Sequence, residues 1–149
     1  MSNSKSSPPY YRITVKSRLI VVQIKGQWTL QTDMAYLSDL GETMHAMRGN
    51  TWAVLVDMRG WVIPKSVSSS PLKSDVNLDR RNQKLECWVV DSPSQGDALL
   101  PYFTESGIVP RCFSDAYEAH VCLQNAGYID KTESIRDINW LARYLATSG

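Results

Sequence analysis

The run Thr51-Trp52-Ala53-Val54-Leu55-Val56-Asp57-Met58-Arg59-Gly60 is apolar and β-rich until it stops at an aspartate, an arginine and a glycine. A strand with one wet face alternates apolar and polar residues. An unbroken run is covered on both faces, as in a parallel sheet packed by helices. The segment is therefore expected to be the central strand of an α/β fold. The residues after it, Trp61-Val62-Ile63-Pro64-Lys65-Ser66-Val67-Ser68-Ser69-Ser70, form an expected loop at the carboxyl end of that strand, where open α/β sheets place their ligands. The run thus points to a location before it points to an activity.

The rest of the chain fits one domain around that strand. Its 149 residues are 43% hydrophobic and 21% charged, ordinary values for a globular protein. Sixteen Lys and Arg oppose fifteen Asp and Glu for a net charge of +1, so no global field draws in nucleic acid or an anionic membrane. Cys87, Cys112 and Cys122 cannot all pair and lack the close spacing of zinc or redox motifs, which suits reduced thiols in the cytoplasm. Residues 1–10 read as a disordered lead-in without the apolar core of a signal peptide. Apolar runs elsewhere are strand-sized, so a soluble, cytoplasmic protein without membrane insertion is expected.

Tyr11–Val15 alternates in the strand manner and Leu19–Ile24 follows after Lys16-Ser17-Arg18, so the two are expected to form a β-hairpin. Leu30, Met34, Leu37, Leu40, Met44 and Met47 then mark one face of a helix that stops at Gly49-Asn50, with Thr29 or Thr32 as its cap. A helix between the second strand and the central one makes the two parallel, so their carboxyl ends share one edge. Residues 71–84 are expected to be helical, with Ser70 as cap and Pro71 in the first turn. Glu86–Val90 is a further strand, followed by helical spacing through Ala98, Leu99, Tyr102 and Phe103. Val109–Phe113 can be an edge strand, limited by Pro110. Ser114 then caps a helix carrying Ala116, Tyr117, Val121 and Leu123 to a stop at Gly127. In residues 128–149, Ile135, Ile138, Leu141, Ala142 and Leu145 form an amphipathic stripe beside Trp140 and Tyr144. That helix could close over its own sheet or meet its copy in a homodimer.

This order, a hairpin and then alternating helices and strands, resembles the STAS domain, the fold of anti-sigma factor antagonists, over about residues 13–127. The best local match is Val54-Leu55-Val56-Asp57-Met58-Arg59-Gly60, similar to the strand and Asp-x-x-Gly turn of that family. The resemblance implies a mixed sheet of four to five strands with parallel central strands and packed helices, the C-terminal helix being extra. Where the family carries an Asp-Ser-Ser-Gly phosphorylation motif, this chain has Lys65-Ser66-Val67-Ser68, with Val67 at the acceptor position. It looks like a divergent bacterial, SpoIIAA-like branch that keeps the scaffold without the switch. That implies a regulatory, signalling or protein-binding module with no defined reaction.

Among candidate site residues, Asp57 at a strand end before Gly60 more often accepts hydrogen bonds from loop amides than performs chemistry. Arg59, Trp61 and Trp28 follow neighbouring parallel strands and could face one crevice, with Lys65 nearby. An arginine with two aromatic side chains suits a protein partner or a small amphipathic, lipid-like anion. The alternative is that the tryptophans seal the rim of the core. Ser66 and Ser68 could accept phosphate, although a solvated serine loop is the simpler account. No Gly-x-Ser-x-Gly elbow is present, and His45 and His120 are expected on half-exposed helix faces, so no enzyme is expected. No cofactor or metal is expected either, the histidines and cysteines lacking ligand spacing. Arg80, Arg81 and Lys84 read as a solvated basic helix face.

Overall fold

A computed structural model describes residues 7–73 and 76–132. Strand β1, Tyr10–Lys16, turns at Ser17-Arg18 into an antiparallel β2, Leu19–Gln27. Ser17 sits at φ +57°, the positive value that a two-residue hairpin of primed type demands of its first turn position. Helix α1, Leu30–Ala46, follows, and Thr29 is its cap: the hydroxyl accepts a hydrogen bond from the Thr32 amide at 3.2 Å. Thr29→Ala leaves that amide without its partner and is expected to cost about 1 kcal/mol, read as a lower denaturation midpoint at an unchanged slope.

The apolar run before Met58 is strand β3, Trp52–Asp57, and every one of its residues is buried. It lies at the centre of the sheet order β1-β2-β3-β5-β6, parallel to β2 on one side and to β5, Gln83–Val89, on the other. Two short strands complete the sheet: β4, Trp61–Val62, extends the β2 pairing, and β6, Arg111–Phe113, borders β5. The fold is α/β, and among the described residues the mixed sheet has six strands instead of the expected four to five, the two-residue β4 being added on the β2 side.

Period-two alternation splits β2 and β3 between two cores. Ile20, Val22, Ile24, Val54 and Val56 meet Tyr36, Leu37, Leu40 and Met44 of α1. Leu19, Val21, Ala53 and Leu55 meet Ala116, Ala119 and Leu123 of α3, Ala116–Asn125, whose cap is Asp115. The unbroken apolar run is thus explained by the presence of a helical layer on each face.

Several expectations are corrected. Residues 71–84 are not one helix. A single 3-10 turn, Pro71–Lys73, is followed by irregular chain over residues 76–80. The Ser70 hydroxyl does accept from the Leu72 amide, but a helix here would have had only three apolar residues to bury, and Leu72 is 69% exposed. The chain instead turns Lys73 and Arg80 inward. The segment after β5 is a 3-10 helix, Asp97–Phe103, with Pro101 inside it, where a missing amide disfavours α-helical bonding. The loop after β3 contains β4 and a short helix α2, Lys65–Ser68. His120 is buried instead of half-exposed. Within the lead-in, residues 7–10 belong to the fold: the Ser7 carbonyl accepts from the Gln27 amide at 3.1 Å, and Tyr10 opens β1. Residues 1–6 lie outside the described residues. So do residues 133–149, and with them the C-terminal amphipathic stripe.

Candidate functional site

The carboxyl edge of the sheet is built around Asp57, which is 1% exposed at the end of β3. One carboxylate oxygen accepts from the Arg59 amide at 3.2 Å and from Arg59 Nε at 3.0 Å. The other accepts from Arg59 Nη2 at 3.1 Å. Two residues apart, these groups close a local turn in which a planar guanidinium meets a carboxylate through both its oxygens. Asp57 therefore holds the loop amide, and Arg59, 18% exposed at its side chain, presents only its rim to solvent.

From that turn the chain is fastened to three other segments. Gly60 adopts φ +82°, which L side chains rarely tolerate. Its amide donates to Asp91 at 2.7 Å, while its carbonyl accepts from the Gly26 amide at 2.9 Å. The Val62 carbonyl accepts from the Trp28 amide at 2.9 Å. Gln95 Nε2 donates to the carbonyls of Met58 at 2.7 Å and Trp61 at 3.1 Å, and Gln95 Oε1 accepts from the Asp91 amide. Gly96 follows against the Trp88 ring, where an added Cβ would stand 2.3 Å from a ring carbon. Gln95 and Asp91 brace the edge without having stood out in the sequence. Asp91 had the signal of a strand-ending Asp-Ser-Pro turn, whereas a lone glutamine carries none.

Trp28 and Trp61 do come together, but inside the core. Both are nearly fully buried, their rings meet edge to face with centroids 5.7 Å apart, and Tyr11 and Tyr36 complete the aromatic cluster around Trp28. Trp28 Nε1 donates to the Lys25 carbonyl at 2.9 Å. The rings fill the space that a ligand crevice between them would need. They take the place of a core rim, the alternative that the sequence left open. Lys65 and Ser66, in contrast, are exposed on α2, Ser68 is half-buried, and Val67 is buried. Val62 and Leu72 point outward from the same loop at 56% and 69% exposure.

Beneath the irregular segment lies a second polar assembly. Arg80, expected on a solvated basic face, is 8% exposed. Its Nη1 donates to Gln83 at 2.7 Å and to Glu86 at 3.2 Å, its Nε to the Tyr102 carbonyl, and its guanidinium stacks 3.8 Å from the centre of the Phe103 ring. Glu86 also accepts from Gln83 Nε2 and Trp88 Nε1, each at 2.7 Å. Lys73 pairs with the buried Asp33 of α1. Burial pushes the Glu86 carboxyl and the Tyr36 phenol up, in Glu86 against the opposing pull of Arg80. Asp33 and Glu86 were invisible as partners because each sits far in sequence from the group it meets or inside a strand pattern.

Open space lies toward the amino ends of the strands, opposite the expected edge. A polar groove of about 760 Å³ is lined by Arg80, Gln83, Lys84, Tyr102 and Glu105, and a smaller one of about 400 Å³ by Arg48, Trp52 and Arg81. Among the described residues, no cluster of His, Cys, Asp or Glu could hold a metal ion, and no helix is long and apolar enough to cross a membrane. The chain matches no family model, no curated protein and no solved structure.

Proposed function

We propose that this chain is a STAS-like regulatory module that docks a protein partner through the loop and short helix following its central strand. One observation carries the reading. Residues 58–62 of the loop are held by hydrogen bonds donated by Gly26, Trp28 and Gln95 and accepted by Asp91, yet the loop turns Val62, Lys65, Ser66 and Leu72 into solvent. Exposed apolar side chains on a pre-ordered backbone lose little further freedom on binding, which favours recognition. The partner surface that fits would be apolar with an acidic rim, to receive Val62, Leu72 and Lys65. Trp28 and Trp61 support the loop from within instead of touching the partner, and Arg59 contributes at its edge. Binding of an amphipathic ligand between the tryptophans would first have to push the packed rings apart.

The test is affinity capture from the native host with the intact chain and three variants. Val62→Asp and Leu72→Asp are expected to lose a protein that the unaltered chain retains, each by tenfold or more. Val109→Asp, at a residue 81% exposed in the approach to β6, is expected to retain it. Equal recovery by all three variants would reject the proposed face.

A further inference from the structure

The three cysteines, ordinary in spacing, are arranged by the fold into one close pair and one outlier. Cys87, in the middle of β5, is fully buried on the face covered by α3, and its Sγ lies 4.0 Å from Sγ of Cys122 on that helix. Both are free thiols. Cys112 is exposed on β6 and stands in register with Trp88, so alternation directs it to the opposite face of the sheet. Cys122 lies 35 positions after Cys87 in sequence, and no local motif announces their meeting.

We propose that Cys87 and Cys122 are a peroxide-responsive pair that forms an intrachain disulfide, fastening α3 to the centre of the sheet. Cys122 is partly exposed and meets the oxidant first, whereas burial pushes the Cys87 thiol up and makes it a poor initial nucleophile. The Cys122 sulfur attacks one peroxide oxygen, the O–O bond breaks, and a sulfenic acid and one water result. The Cys87 sulfur then attacks the Cys122 sulfur, the S–S bond forms, and the sulfenic hydroxide departs as a second water with the Cys87 proton. Two thiols are oxidised by two electrons and one hydrogen peroxide is reduced to two waters. A gap of 4.0 Å closes to bonding distance through side-chain rotation and a small shift of α3, which packs on this face of the sheet through Ala116, Ala119 and Leu123.

The full chain, reduced and freed of reductant, is treated with hydrogen peroxide, then unfolded and alkylated. The folded protein is expected to lose the mass of two hydrogen atoms and to accept one alkyl group where the untreated chain accepts three. Trypsin with a glutamate-specific protease cuts at Glu118, which separates Cys112 from Cys122. The linked fragments should then contain Cys87 and Cys122, and dithiothreitol should restore all three alkylation sites. The same treatment in guanidinium should scatter the link among all pairings. Cys112→Ser should leave the reaction intact, and Cys122→Ser should abolish it. Retention of three alkylatable thiols, a link through Cys112, or oxidation to sulfinic acid without a link would each overturn the proposal, and the peptide map of the unaltered chain decides this even if a variant fails to fold.

Discussion

Glu86→Ala is expected to lower the stability of the folded chain by about 3–5 kcal/mol, because it strands the buried Arg80 charge and removes the acceptor of two further donors. The two oxygens of Glu86 serve Arg80, Gln83 and Trp88, and Arg80 is itself enclosed by Phe103 and the Tyr102 carbonyl. Set against a typical total stability of about 5–15 kcal/mol, such a loss brings the protein close to unfolding. Glu86→Gln is the informative companion. Burial holds the Glu86 carboxyl above the ordinary value of 4.5, so the folded chain keeps a proton that the unfolded chain has already lost. Folding then becomes less favourable as pH rises from 4.5 through the raised folded value, and the effect is constant above it. The glutamine variant lacks this titration. The stability of the unaltered protein minus that of Glu86→Gln should fall with rising pH across that window and then level off. Denaturant titrations at a series of pH values read it directly, and parallel profiles would show that Glu86 does not titrate in the folded state as its burial requires.

Trp28→Ala is expected to cost about 3–5 kcal/mol, the range for deleting a large aromatic side chain from a core. Trp28 is 1% exposed, touches the rings of Tyr11, Tyr36 and Trp61, and uses its indole donor on Lys25. Trp28→Phe keeps most of the ring contact and gives up the hydrogen bond, for an expected loss of about 1–2 kcal/mol. The pair separates two roles for the residue. A wall of an open ligand crevice would tolerate alanine with little change in denaturation midpoint, whereas a core ring would not. A midpoint unchanged in Trp28→Ala would contradict the aromatic cluster and restore the crevice.

The elements with strong periodicity were legible from sequence. The hairpin, a threonine cap before α1, α1 itself, the central strand and helix α3 follow from patterns contained within ten to twenty residues of chain, where local bonding and one apolar face decide the outcome, although the cap of α3 is Asp115 and not Ser114. The segment 71–84 shows the opposite case. Its few apolar residues left the local preference weak, so the long-range pairing of Lys73 with Asp33 and the burial of Arg80 against Glu86 prevailed. Asp57 is the hydrogen-bond acceptor that its position suggests, because an aspartate two residues before an amide it can reach is a short-range motif. The bracing by Gln95 was not legible, since a glutamine signals its partners only through the tertiary fold.

By itself, then, the sequence determined that this chain forms an α/β fold with a doubly covered central strand ending at Asp57, and that the following loop stands at the carboxyl edge. Chain-local hydrophobic spacing carries that information. Only the tertiary structure decided that Trp28 and Trp61 face each other inside the core, that Lys73 is buried against Asp33, and that Cys87 meets Cys122 across the sheet and helix. Each of these depends on which groups remote in sequence or on opposite faces are brought within a few ångströms, and neither composition nor periodicity encodes that distance.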